Sequence, residues 1–219
     1  MSKTAVIALN GELSYDNNEY QKMLEDINAK FIAADGGALL LEKIGYKPDL
    51  ILGDLDSLSN SDIKKFRNKD INIKKYPSEK DETDGELAIN YCLEKNFSKI
   101  ILIFALGGRF DQQFANVFLL EYALEHDVEA IIKEPFLEIG LVNHEKNITD
   151  KVDWGLSLLP LDKKVNDVHI SGCKYPLNSF MLYRNRSRGI SNLIIEKKAK
   201  IKHGKGELIY ILNKHMHTS

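Results

Sequence analysis

Short runs of apolar, β-branched residues alternate with longer helix-like stretches over the first ~130 residues, the pattern of a parallel sheet whose strands are joined by crossover helices. The runs that read as strands are TAVIALN (4–10), KFIAA (30–34), DLILG (49–53), INIKKY (71–76), KIILIFAL (99–106) and VEAIIK (128–133). Helices are expected between them: GALLLEKIG after the second strand, ETDGELAINYCLEKN after the fourth and DQQFANVFLLEYALEH after the fifth. The last carries Phe114, Val117, Phe118, Leu120 and Leu124 nearly all round, so it is expected to pack on several sides.

The texture changes after residue 134. Alternation, glycine turns and β-branched residues dominate EIGLVNHEKNIT, WGLSLLPL, KVNDVHISG, NSFMLYRN and SNLIIEKKAKIKHGKGELIYIL, and no amphipathic helix stands out. The fold class that follows is α/β: a Rossmann-like parallel-sheet domain over residues 1–133, then an all-β sandwich domain over 134–219. HGKG at 203–206 reads as a hairpin turn between two alternating runs, and the lone Trp154 as sandwich core. His215 and His217 sit in a tail expected to fray.

Composition narrows the function classes. With 43% hydrophobic and 28% charged residues and a formal net charge of -2, nothing points to a nucleic-acid or membrane partner. The longest apolar stretch, Ile100 to Leu106, falls far short of the roughly 20 residues a membrane helix needs. The start MSKTAVIALNG has no signal-peptide pattern, so a cytoplasmic protein is expected. Cys92 and Cys173 lie far apart without CxxC spacing, and buried reduced thiols are expected.

The chemistry is concentrated in acidic motifs. An open parallel sheet binds ligands beyond the carboxyl ends of its strands. AADGGA (33–38) ends the second predicted strand, GDLDS (53–57) the third and GGRFDQ (107–112) the fifth, while KDETD (80–84) follows the fourth. Each has a local explanation: Asp35-Gly36-Gly37 as a strand-to-helix turn, Thr83 with Glu86 as a capping box, Asp111 as a helix cap. Their convergence needs another. Asp35, Asp54, Asp56, Asp81, Asp84 and Asp111 at one rim repel one another unless cations stand between them. In an extended segment Asp54 and Asp56 would point to one side.

An oxygen-only donor set without Cys or His suits hard Mg²⁺ rather than zinc or copper, and Mg²⁺ commonly bridges to substrate phosphates. Gly36-Gly37 and Gly107-Gly108 let backbone amides approach an anion, and Arg109 offers a two-pronged donor for phosphate oxygens. No GxxxxGK[ST] occurs, which excludes a P-loop by motif.

AADGGA, ILGDLDS, KDETD, GGRFDQ, and later GCKYPL and GISN, stand in an order and approximate spacing that resembles the thiamine pyrophosphokinase family over nearly the whole chain. The resemblance implies a nucleotide-binding α/β domain, a thiamine-binding β-sandwich and a homodimer with active sites at the subunit interface. It implies a reaction in which ATP and thiamine give thiamine diphosphate and AMP.

Carried onto this chain, the resemblance makes Asp54, Asp56, Asp81, Asp84, Arg109 and Asp111 catalytic, with Asp54, Asp56 and Asp84 as Mg²⁺ ligands. Asp35, Gly36, Gly37, Gly107, Gly108, Arg109 and Gln112 would bind ATP, and Tyr175, Ser191 and Asn192 thiamine, with the Tyr175 ring stacked on the cationic ring system. This chain departs from the family at Gln112, where many bacterial members have His, and at Leu193, where members often have Glu. The basic run YRNRSR (183–188) reads as a solvated hairpin tip; the alternative is that Arg186 or Arg188 reaches ATP phosphates across a dimer interface.

Two rivals stay open at this level. One is a Mg²⁺-dependent phosphatase with Asp54 as nucleophile, for which Ser57-Leu58 is a poor match to the expected Thr. The other is a nucleotide- or thiamine-binding module without chemistry, for which so many carboxylates at one rim have no use.

Overall fold

The computed structural model describes residues 3–214; His215 and His217 lie outside them. The chain divides into two compact units between Pro135 and Phe136.

In the first unit, six strands, β1 (Thr4–Ala8), β2 (Lys30–Ala34), β3 (Leu50–Gly53), β4 (Asn72–Lys75), β5 (Lys99–Ile103) and β6 (Glu129–Glu134), lie in the order β6-β5-β1-β2-β3-β4. All their pairings are parallel. Ala5, Val6, Ile7 and Ala8 are fully buried, as a central strand covered on both faces must be. Each large aliphatic so placed contributes roughly 1.5–3 kcal/mol. The chain runs outward from β1 to β4 and then returns to β5 on the other side of β1. This reversal opens a crevice at the carboxyl ends of β1 and β5.

The connecting helices are α1 (Asn17–Leu24), α2 (Gly37–Lys43), α3 (Asn60–Asn68), α4 (Asp84–Glu94) and α5 (Phe110–Glu125). The first and third are additions to the three helices expected. α1 buries only Tyr20 and Leu24, and α3 only Phe66, so neither carries a full apolar stripe. α3 is held instead at its start, where Ser59 and Asp62 form a reciprocal capping box.

The expected packing of α5 on several sides is not what the structure has. Leu119, Leu120 and Ala123 are buried, while Phe110, Phe114 and Phe118 form an exposed aromatic stripe, Phe110 at 77%. Asp111 does not cap α5: the cap position is Arg109, with no side-chain cap bond.

β5 also ends earlier than the apolar run suggests. Phe104 takes a left-handed backbone (φ 53) and buries its ring against Tyr20, with centroids 5.0 Å apart, so Ala105 and Leu106 leave the sheet. Beside this bend, β6 ends on Glu134, which is only 4% exposed. The Tyr20 hydroxyl donates to Glu134 Oε2 at 2.5 Å, while Oε1 has no hydrogen-bond partner. Burial pushes this carboxyl up to about 7, against the opposing pull of Tyr20 and the Phe104 and Ala105 amides.

A folded-state pKa above the unfolded one means that the contribution is fully present below about 4.5 and is lost as pH rises through about 7. Glu134→Gln is therefore expected to flatten stability against pH in that window. The variant's advantage over the parent should grow toward pH 8, on the order of 3 kcal/mol. Denaturant titrations at pH 4.5 and pH 8 check this, and parallel pH profiles would reject it.

The second unit is all β. One antiparallel layer runs β12-β9-β14-β7, made of Asn192–Leu193, Gly155–Pro160, Leu208–Asn213 and Leu137–Leu141. The other runs β11-β10-β13-β8, made of Leu177–Tyr183, Lys164–Ser171, Lys198–Lys202 and Glu145–Thr149. Alternate residues of both layers, among them Leu156, Leu158, Val165, Ile170, Ile201 and Tyr210, build one core. Trp154 packs at its margin, with the Lys151 ammonium 3.6 Å from the ring centroid.

HGKG is not a hairpin turn, because β13 and β14 belong to different layers and residues 203–206 cross between them. Asn166 holds the crossing, with its carbonyl accepting from the Gly204 amide and its Oδ1 from the Lys205 amide. YRNRSR likewise links β11 in one layer to β12 in the other, rather than tipping a hairpin, and Arg184 to Arg188 are exposed. Cys92 and Cys173 are buried thiols, pushed up to about 12 and about 11 by burial. Among the described residues, no helix is long and apolar enough to cross a membrane.

Candidate active site

The crevice of the first unit holds a cavity of about 300 Å³ at the carboxyl ends of the strands. Each strand that reaches it delivers a polar group. Asn10 follows β1, Asp35 follows β2, Asp54 and Asp56 follow β3, Asp84 opens α4, and Gly107 follows β5.

Local backbone geometry aims these groups. Asp35 sits in the left-handed region (φ 48), and its amide donates to the Leu52 carbonyl at 2.9 Å, which pins it to β3. After β3 the chain does not run extended: Leu55 is left-handed (φ 65) and 5% exposed, so its side chain drops into the core. The Asp56 amide donates back to Asp54 Oδ1 at 3.1 Å. Asp54 and Asp56 therefore share the cavity through a turn rather than through strand alternation.

Gly53, at φ 137, clears the way for a neighbour: a Cβ there would lie 3.0 Å from Asp84 Cγ. Thr83 caps α4, its hydroxyl accepting from the Glu86 amide at 3.1 Å, and this fixes Asp84 in the first turn.

Asp35, Asp54 and Asp84 each offer a carboxylate oxygen, and the three lie within 4.8 Å of one another. Like charges at such spacing repel by about 3 kcal/mol per pair at an effective dielectric constant near 20. Asp35 is 4% exposed, and its Oδ1 has no hydrogen-bond partner. Burial, reinforced by the charges of Asp84 and Asp56, raises its pKa against hydrogen bonds from Ser57 and the Gly36 amide. A buried carboxylate with an orphaned oxygen, clustered with two more carboxylates, is a place for a cation. All the donors are oxygens, and hard divalent ions take oxygens.

Of the residues expected at the site, Asp35, Asp54, Asp56, Asp84, Gly107 and Gln112 line this cavity. Gly36, Gly37, Asp81, Gly108, Arg109 and Asp111 do not. Gly37 is buried where α2 crosses β1. Arg109 and Asp111 form an exposed two-point pair, Nε to Oδ1 at 3.1 Å and Nη2 to Oδ2 at 2.5 Å, which holds the Asp111 carboxyl below its usual range.

Residues not singled out beforehand also line the cavity, notably Asn10, Ser57, Lys80, Gln113 and Asn116. Asn10 Nδ2 donates to Ser57 Oγ at 3.0 Å, and Asn116 Nδ2 to the Ala105 carbonyl at 2.8 Å, which ties α5 to the end of β5. Asn10 was available to the same rule that found the aspartates, since it closes the first apolar run.

The second unit has its own cavity, of about 230 Å³, lined by Tyr175, Leu177, Arg188, Ile190 and Asn192 among others. Asn192 is 6% exposed and braces Tyr175: its Oδ1 accepts from the Tyr175 amide at 2.9 Å and its Nδ2 donates to the Tyr175 carbonyl at 2.7 Å. Tyr175 itself is left 58% exposed. Ser191, left-handed at φ 60, is not part of the lining; its amide donates to Ser157 Oγ at 3.1 Å. Arg188 lies over the Phe180 ring, 5.1 Å from its centroid.

Comparison with known proteins bears on both cavities. The thiamin pyrophosphokinase catalytic domain matches residues 20–132, and the thiamin pyrophosphokinase vitamin B1 binding domain matches residues 144–208. The thiamine pyrophosphokinase of Bacillus subtilis strain 168 is 29% identical over 192 residues, covering 85% of this chain and 88% of its own. A crystal structure of thiamine pyrophosphokinase from Bacillus subtilis superposes with a TM-score of 0.87 at 24% identity, over 98% of this chain and 100% of that one. The crystal structure from Geobacillus thermodenitrificans gives 0.84 at 25% identity, over 99% and 100%. With the catalytic-domain match alone spanning more than half of the 219 residues, this chain belongs to the thiamin pyrophosphokinase family and is an enzyme of that class.

Proposed function

We propose that the cavity of the first unit takes ATP with Mg²⁺ and that the Tyr175 cavity takes thiamine. The observation that carries the ATP reading is the cluster of Asp35, Asp54 and Asp84 with its unpartnered Asp35 oxygen. These three carboxylates would hold the metal. Asp56 on the same wall is a further oxygen donor, and Asp81, exposed and outside the lining, would act only through water. Bound there, Mg²⁺ would neutralise the polyphosphate and stabilise charge on the transferred group.

The rest is positioning, as in other phosphoryl transfers. The hydroxyethyl oxygen of thiamine forms a bond to the β-phosphorus as the bond from that phosphorus to the α,β-bridging oxygen breaks. AMP leaves, and the hydroxyl proton is released. Gly107, Gly108 and the amides around them approach the phosphates, with Gly36 and Gly37 behind Asp35 and Gln112 as a neutral hydrogen-bonding group. Arg109 would leave Asp111 for a phosphate oxygen; their pair is exposed, and such pairs cost little to open.

In the second unit the exposed Tyr175 face suits the cationic rings of thiamine, with Asn192 and Ser191 setting the approach. The test is a product assay. AMP that appears only with thiamine supports this reading, whereas orthophosphate released without an acceptor would replace it with a hydrolase.

We also propose a homodimer with active sites at the subunit interface and a cytoplasmic setting, the latter supported by two buried thiols. The dimer is supported by the stripe of Phe110, Phe114 and Phe118, open to solvent, with Phe110 stacked on Phe114 at 5.9 Å and Phe114 meeting Phe118 edge-to-face at 4.9 Å. Phe118→Asp is expected to shift the chain to monomer in sedimentation; an unchanged sedimentation coefficient would count against this face.

A further inference from the structure

Among the described residues, Lys80 is the one basic residue lining the carboxylate cavity, and it is no ordinary surface lysine: its side chain is 12% exposed. Its ammonium lies 3.0 Å from Asp84 Oδ1 and 3.8 Å from Asp54 Oδ2, two of the three clustered carboxylates. It stands within ion-pair distance of both without reaching the third, and neither Asp35 Oδ1 nor Asp84 Oδ1 has a hydrogen bond. The ammonium therefore competes for the oxygens that a divalent cation needs. A second cation on Asp54 and Asp84 would stand within about 4 Å of the ammonium and repel it. The lysine stem is flexible enough to move its charge elsewhere in the same cavity.

We infer that Lys80 is a built-in counter-ion that exchanges with the metal. In the metal-free protein it neutralises Asp54 and Asp84; when a divalent ion takes those carboxylates, the ammonium is released toward the nucleotide phosphates. Lys80 is thus both a competitor for the metal and a donor to the substrate. The inference rests on the reading of the carboxylate cluster as a metal site.

That dual role separates two readouts that a structural salt bridge would move together. Lys80→Met keeps the stem and removes the charge. Titration of the full-length protein with Mn²⁺ alone, without nucleotide, followed by water-proton relaxation, is expected to give five- to tenfold tighter binding in Lys80→Met than in the parent. Steady-state assays with saturating thiamine are expected to give a 10- to 100-fold lower kcat/KM for MgATP in the same variant. Lys80→Arg keeps the charge and is expected to hold Mn²⁺ affinity within twofold of the parent, which covers the case of a poorly folded methionine variant: tenfold tighter binding in Lys80→Arg would also overturn the exchange. Asp54→Asn serves as the control for the site. If Mn²⁺ binds the parent in a manner that Asp54→Asn abolishes, but Lys80→Met binds equally or more weakly, the counter-ion exchange is wrong and the metal reading stands. If no Mn²⁺ binding depends on Asp54 in any variant, the metal reading fails and takes the exchange with it.

Discussion

Asp54→Asn is expected to lower kcat by about three orders of magnitude or more while leaving the fold intact, an effect of the size seen when a charge-stabilising group is removed from a transfer site. Asparagine preserves the volume, and its side-chain oxygen can still accept from the Asp56 amide, so the turn at Leu55 survives. What it removes is one of three clustered negative charges and, on the proposed metal site, a share of its cation affinity. Relief of repulsion with Asp35 and Asp84 offsets the lost attraction to Lys80, so thermal stability should be little changed, unlike the outcome of a structural mutation. Near-parental turnover would refute the assignment of Asp54, and a collapsed Tm would make the residue structural.

The second large effect falls on stability. Gly37→Ala is expected to cost about 3 kcal/mol or more and to lower Tm by roughly 10 °C, since overpacking against backbone has no rotamer escape. A Cβ at Gly37 would drive into the Ala8 carbonyl oxygen and lie 2.8 Å from that of Leu9, where α2 crosses the end of β1. The Ala8 carbonyl ends the buried central strand β1 and that of Leu9, also buried, follows it directly, so neither can retreat. Thermal denaturation of the purified variant decides this, and a Tm within a degree or two would show that the crossing has slack. The result also separates two uses of the glycine pair, because ATP binding by a folded Gly37→Ala protein would leave packing as Gly37's main task.

The acidic rim was legible because its rule is local: where an apolar run ends, the next polar residue stands at a strand's carboxyl edge. That rule placed Asp35, Asp54 and Asp56 in the cavity and, applied to the first run, also reaches Asn10. It did not reveal that Asp35 joins Asp54 and Asp84 in the tightest cluster while Asp56 stands outside it. The left-handed turn at Leu55, which decides that difference, depends on a core pocket for the Leu55 side chain. Lys80 was hidden for a related reason: it follows a proline-bearing loop, and only its burial against Asp54 and Asp84 distinguishes it from a solvated lysine.

Helices α1 and α3 escaped the hydrophobic pattern because each buries only one or two side chains, although the Ser59–Asp62 capping box was there to be read. Alternation predicts a hairpin at 203–206 where the chain crosses between layers, because it reports a half-buried strand and is silent about its partner.

The amino-acid sequence alone determined the strands of the first unit and their order along the chain, the change from α/β to all-β texture and the rim on which the carboxylates gather, since each follows from short-range periodicity and chain polarity. Tertiary structure decided the rest: which three carboxylates meet, that Lys80 stands between two of them, that Asn192 braces Tyr175, and that the aromatic face of α5 lies open. These are distances between residues far apart in the chain or set by unusual backbone angles, and no local pattern encodes them until the core has packed.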